Sequence, residues 1–152
     1  MTATLIRNHF QFVIEAAPDL TERFYVLLFE RSPHLRALFG RRSEKAQADM
    51  LAGALIAVID HLEDPVWLAT TLAPLGDKHR TYGVTDEMYG LVASALIATL
   101  ASVSGPSWNP ELEKAWHGAL TFVATTMIKG ADVLPLPAKE TGETGASTPL
   151  AR

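Results

Sequence analysis

Between residues 2 and 130, apolar side chains recur three and four places apart, and nowhere do apolar and polar residues alternate long enough to make a convincing strand. That periodicity confines the chain to helix packed on helix, an all-α architecture. Residues 2–17 are apolar at Ile6, Phe10, Val13 and Ala17. Pro18-Asp19 breaks this helix and starts another, with Phe24, Tyr25, Leu28 and Phe29 on its apolar side. Pro33 opens a brief turn through Leu35 to Phe39, and Gly40-Arg41-Arg42 reads as a basic loop. Ser43 is placed to cap a long helix reaching Leu62. Asp64-Pro65 starts a short helix that Pro74 should end, leaving His79 on a separate short segment that stops at Gly83.

Thr85, followed by Asp86 and Glu87, opens a helix to Val103, its early acids offsetting the helix dipole. Asn109-Pro110 caps the last helix, which carries Leu112, Trp116, Leu120, Val123 and Met127 along one side and is expected to end at Gly130. The expectation is five substantial helices with several one- or two-turn pieces, forming one domain over residues 1–130. Residues 131–152 hold three prolines and little large apolar content, the composition of a disordered tail.

The chain's 152 residues suit one domain with one core. A net charge of −4 gives nucleic acid or an anionic membrane no electrostatic reason to bind. With no cysteine there are no disulfides, zinc thiolates or iron–sulfur clusters, and a reducing cytoplasm is the expected setting. Arg7, His9 and Glu15 interrupt the first apolar run, so no secretory leader is expected there. The uncharged run over residues 89–110 is broken by Ser94, Thr99, Ser102 and Ser104, and reads as a buried core helix rather than a membrane span.

Some polar residues fall on apolar faces. At 100° per residue Gln47 lies within about a quarter-turn of Leu51, Ala54, Leu55, Val58 and Leu62, so it points to the core side near the helix start. It is either a rim residue with its amide in water or a donor aimed into a pocket. Tyr25 and Tyr89 share faces with apolar residues, where a buried phenol needs a partner for its hydroxyl. Phe39 reads by itself as core. Of the five histidines, His9 and His117 look like surface or boundary residues of amphipathic helices, and His34 like a turn residue. His61 follows Gln47 by fourteen residues, about 21 Å along a helix axis, too far to share a small site with it. His79 is open to two readings, a structural histidine or a ligand. The chain has no HExxH, GxGxxG, phosphate-binding loop, nucleophile elbow or calcium loop. Nor do its acids form an apolar carboxylate pair for acid–base chemistry.

Taken in order, several landmarks resemble the haem globins, above all the bacterial single-domain type and the globin domain of flavohaemoglobins. They are Phe24-Tyr25 with Leu28-Phe29; Pro33 with Leu38-Phe39; Gln47 with Leu51; Leu75-Gly76 with Lys78-His79; Tyr89; and Ala115-Trp116. The likeness covers residues 5–129. It implies a globin fold, a helical sandwich of about six to eight helices around a haem pocket, and haem b (iron protoporphyrin IX) as cofactor. By the same resemblance His79 would be the proximal ligand of the iron and Phe39 would pack on the porphyrin. Tyr25, Gln47 and Leu51 would form the distal face, Tyr89 would stand behind His79, and Lys78 would meet a propionate.

The function so implied is reversible binding of O2, and of NO and CO, by a monomer or homodimer. An enzymatic alternative is a nitric oxide dioxygenase served by a separate reductase, with Tyr25 and Gln47 assisting. Flavohaemoglobins carry a reductase and, near the end of the last helix, a glutamate bonded to the proximal histidine. Ala131 falls at the glutamate position with Asp132 adjacent, which weakens the case for peroxidase-like or efficient dioxygenase chemistry unless Asp132 substitutes. A third reading is a haem-free globin-fold signalling or interaction module, which would need neither His79 nor an inward Tyr25–Gln47 pair.

Overall fold

The computed structural model describes residues 2–40 and 43–133, with side chains described as far as residue 130. The loop arginines 41 and 42 and most of the tail expected over residues 131–152 lie outside the described residues, while residues 131–133 of that tail are helical rather than irregular. Six α-helices are joined by two short 3₁₀ pieces: α1 (Thr2–Ala16), α2 (Leu20–Arg31), a 3₁₀ segment (Pro33–Phe39), α3 (Glu44–Asp60), α4 (Pro65–Thr81), α5 (Asp86–Ser104), a second 3₁₀ turn (Gly105–Ser107) and α6 (Pro110–Val133). The described residues contain no strand.

Local chemistry sets most helix starts. The Ser43 side chain accepts from the Ala46 N–H, Asp64 from Trp67, and Asn109 from Leu112, each satisfying a donor at a helix N-terminus. At the end of α4, Gly83 sits at φ 96°, and two backbone bonds close the turn: Gly83 N–H to Arg80 C=O and Val84 N–H to His79 C=O. This paired 5→2 and 6→1 pattern needs a left-handed residue, and glycine adopts it without a Cβ penalty.

Three expectations are corrected. Pro74 does not end a helix; α4 runs unbroken through it from Pro65 to Thr81, so His79 rides on a seventeen-residue helix rather than on a separate piece. An internal proline costs a helix about 3 kcal/mol, for a lost N–H and a clash with the i−4 carbonyl. Tertiary packing offsets that cost. Leu72 and Gly76 are buried beside Pro74, and α4 lies directly on α6. A Cβ at Gly76 would collide with the Met127 carbonyl, and one at Gly130 with the Ala73 backbone, so the two helices touch backbone to backbone. Gly130 is therefore a crossing residue, and α6 continues past it to Val133.

Beyond its acidic first turn α5 is uncharged; it packs against α1, α2 and α6 and buries Ala95, Leu96, Thr99, Leu100 and Ser104. By length and composition Asp86–Ser107 is long and apolar enough to cross a bilayer; its buried residues Ala95, Leu96 and Leu100 belong to the larger core cluster. The third correction concerns His9, which is buried at 7% exposure rather than lying at the surface or boundary. The Trp116 indole N–H donates to its Nδ1 at 2.9 Å, and its Nε2 lies 2.7 Å from Ser104 Oγ. That hydroxyl in turn donates to the Leu100 carbonyl at 2.8 Å. The network ties α1, α5 and α6 together and requires a neutral imidazole protonated on Nε2.

Buried apolar side chains form two clusters. The larger holds Phe10, Phe24, Leu28, Leu96 and Trp116, with Phe39, Leu51 and Leu55 packed half-buried against it. The smaller holds Leu68, Leu72 and Met127, with Leu75, Tyr89 and Val123 half-buried beside it.

Candidate functional site

The sequence-derived site residues separate along the same two clusters. On the first, α2 supplies Tyr25 and α3 supplies Gln47, whose side-chain amide donates to the Tyr25 hydroxyl oxygen across a long 3.4 Å. With its oxygen serving as an acceptor, the phenol's proton is a donor. Tyr25 is fixed by rings: Phe29 is stacked with it at 5.8 Å and 26°, and Phe39 meets it edge-on at 5.5 Å. Phe29 and Phe39 also meet edge-on at 5.3 Å. Edge-to-face and offset pairs at these separations are the favoured aromatic geometries. Leu51, one turn beyond Gln47 on α3, is half-buried against the same cluster.

On the second cluster, the His79 Nδ1 lies 2.8 Å from the Leu75 carbonyl oxygen. A carbonyl only accepts, so Nδ1 carries the proton and the Nε2 lone pair is left available. Among the described residues, no hydrogen-bond partner falls to Nε2. Burial lowers the His79 pKa, opposed by the Leu75 bond, and this favours the neutral ring. Tyr89 on α5 lies roughly parallel to the imidazole at 6.3 Å between centroids. Its own pKa is pushed up to about 12, chiefly by burial and then by the Asp86 charge, so it stays a neutral phenol. Lys78, next to His79, forms no ion pair with any described residue.

Tyr25, Gln47 and Phe39 are thus brought into mutual contact, and His79 and Tyr89 into a second contact. Asp132 lies in the helical end of α6, but its side chain is outside the described residues. What sequence reasoning missed is the support beneath His79. Gly76 stands one turn before it and brings α4 onto α6. The available signal was an isolated glycine inside a helical pattern.

The donor set fits a haem. A metal needs a neutral imidazole whose second nitrogen is held by a hydrogen bond, and His79 provides that. A flat apolar group needs half-buried apolar walls, which Phe39, Leu51, Leu75 and Val123 provide.

The globin family model matches residues 22–127 of this chain. A flavohemoprotein of Rhodopirellula baltica is 30% identical over 129 residues, which is 84% of this chain and 32% of that protein. One from Bordetella pertussis is 33% identical over 129 residues, 84% of this chain and 30% of its own length. The chain spans about a third of the length of these curated relatives. Among solved structures, an engineered carbene transferase from Rhodothermus marinus, described as a candidate nitric oxide dioxygenase, superposes with a TM-score of 0.75 at 29% identity. The match covers 90% of this chain and 96% of that one. A Campylobacter jejuni globin gives 0.76 at 21% identity over 88% and 96% of the two chains, a likeness of fold.

Proposed function

The chain belongs to the globin family, and from that premise we propose that it is a haem b protein that binds O2, NO and CO reversibly, with His79 as the proximal ligand and Tyr25 and Gln47 as distal donors. The observation that carries this reading is the tautomer of His79: its Nδ1–H is held by the Leu75 carbonyl and its Nε2 is left as a lone-pair donor. Haem, when bound, supplies a ferrous iron that takes a diatomic ligand. The protein's part is to hold and tune. Backbone contact between α4 and α6 fixes the helix that carries His79, and Tyr89 limits rotation of the ring. Tyr25 and Gln47 present donors to a ligand that has drawn negative charge, each bond contributing about 1.5–3 kcal/mol, roughly tenfold or more in retention. Phe39 and Leu51 exclude water, and Lys78 offers a cation to a propionate.

The test is the absorption spectrum of the reduced protein with and without CO. A five-coordinate ferrous spectrum that shifts to a carbonmonoxy form supports the reading. A protein that stays colourless when supplied with haemin overturns it. A second reading, nitric oxide dioxygenation with a separate reductase, draws on the Rhodothermus relative, of whose chain the match covers 96%. Stopped-flow mixing of the oxygenated form with NO separates the two. Sustained nitrate formation with a reductase favours the enzyme, and one stoichiometric oxidation favours the binder.

A further inference from the structure

We propose that Arg36 is a positioning residue for the distal donors, holding the plane of Tyr25 through the Phe29 ring. The inference rests on the reading that Tyr25 and Gln47 face the ligand.

The Arg36 guanidinium carbon lies 4.5 Å from the centroid of the Phe29 ring, and its Nη1 lies 3.4 Å from Glu44 Oε2. Phe29 is the ring stacked with Tyr25, and Glu44 opens the helix that carries Gln47 three residues later. Two of the links among the described residues thus join α2 and its following 3₁₀ segment to the start of α3. One is inward, Gln47 to Tyr25; the other is outward, Glu44 to Arg36 to Phe29. The inward link alone is weak at 3.4 Å. It joins two helices separated by a loop, so a small relative movement would open it.

Magnitudes decide which part of the outward link matters. The Arg36 and Glu44 side chains are 60% and 76% exposed, so their ion pair is screened and holds little by itself. The stack is different. Phe29 is only half-buried, and a flat guanidinium over its ring shields apolar surface while adding a cation–π attraction. A ring so covered holds one orientation, and Tyr25, roughly parallel to it, is held with it.

Carbonmonoxy and oxygenated holoprotein of wild type, Arg36→Ala, Arg36→Lys and Tyr25→Phe test this. The readouts are the C–O stretching band, which senses donors near the ligand, and the O2 dissociation rate. Arg36→Ala should broaden or split the band and speed O2 release about 2–5-fold. Arg36→Lys, which keeps the charge opposite Glu44 but lacks the flat face, should behave nearly as Arg36→Ala does. In a Tyr25→Phe background the Arg36→Ala effect on both readouts should vanish. A lower melting temperature with an unmoved band and release rate, or an equal effect with and without the Tyr25 hydroxyl, would mean that Arg36 is merely structural and overturns the inference. If Tyr25→Phe itself changes neither readout, the distal reading falls, and this inference with it.

Discussion

The two sides of the candidate site are held in different ways. Around His79 the fixing contacts are backbone: Gly76 against the Met127 carbonyl, Gly130 against Ala73, and the Leu75 carbonyl on Nδ1. Around Tyr25 they are side chain on side chain: the Phe24, Phe29 and Phe39 rings, a 3.4 Å amide contact and, beyond Phe29, an exposed arginine. Backbone contacts have no rotamers to lose, whereas side-chain contacts can be opened by a rotation. On the proposed reading, the first side holds a ligand atom in place. The other is built to be tuned.

The sharpest way to break this contrast is on the rigid side. His79→Ala should abolish normal haem incorporation, seen as loss of the ferrous spectrum, and added imidazole should restore part of it. An unchanged five- or six-coordinate spectrum would refute His79 as the ligand. Gly76→Ala leaves every polar group of the site in place yet drives a methyl into the Met127 carbonyl. It should destabilise the protein by about 1–3 kcal/mol, the range for overpacking in a closed interior, and loosen haem retention. Urea unfolding of the two variants separates them, since His79→Ala should leave the apoprotein nearly as stable as wild type. If Gly76→Ala is neutral, α4 and α6 are not in backbone contact.

The tunable side should respond by degree. Tyr25→Phe removes one hydroxyl and keeps the ring that packs on Phe29 and Phe39. O2 release should accelerate roughly tenfold or more, measured by laser photolysis or ligand replacement, while CO release changes far less because CO gathers less negative charge. Equal changes for both gases would point to altered access rather than a lost donor.

How much of this could be read in advance follows from the range of each interaction. Caps at Ser43, Asp64 and Asn109 are contacts within three residues, so the sequence displays them. Gln47 could be placed inward by helix arithmetic, and the structure pairs it with Tyr25. Pro74 misled because its penalty is local while the packing that overrides it comes from α6, some fifty residues away. His9 misled for a related reason, since its partners Ser104 and Trp116 lie 95 and 107 residues along the chain. A signal was nonetheless present: His9 falls three residues after Ile6 and four before Val13, on the same helical stripe as those buried residues.

That buried histidine gives the smallest of the expected effects. Burial lowers the His9 pKa below the ordinary 6.5. In the native protein both ring nitrogens are used, Nδ1 as acceptor from Trp116 and Nε2 as donor to Ser104. A second proton would have to sit on Nδ1, facing the indole N–H, with no acceptor for it. The unfolded chain has no such conflict and takes up the proton near 6.5. Below that pH the unfolded state therefore binds more protons than the native state, and by linkage stability falls as pH falls. The contribution is intact above 6.5 and is lost on acidification from there to the lowered native value. Its slope can reach about 1.4 kcal/mol per pH unit for one fully linked group. Urea unfolding of wild type and His9→Gln between pH 7.5 and 5 measures it, because the amide keeps a donor and an acceptor but does not titrate. His9→Gln should be less stable than wild type at pH 7.5, through imperfect packing, and the gap should narrow towards pH 5. A gap that stays constant would mean that His9 takes up its proton without disturbing the network, and the neutral tautomer would not be what ties α1 to α5 and α6.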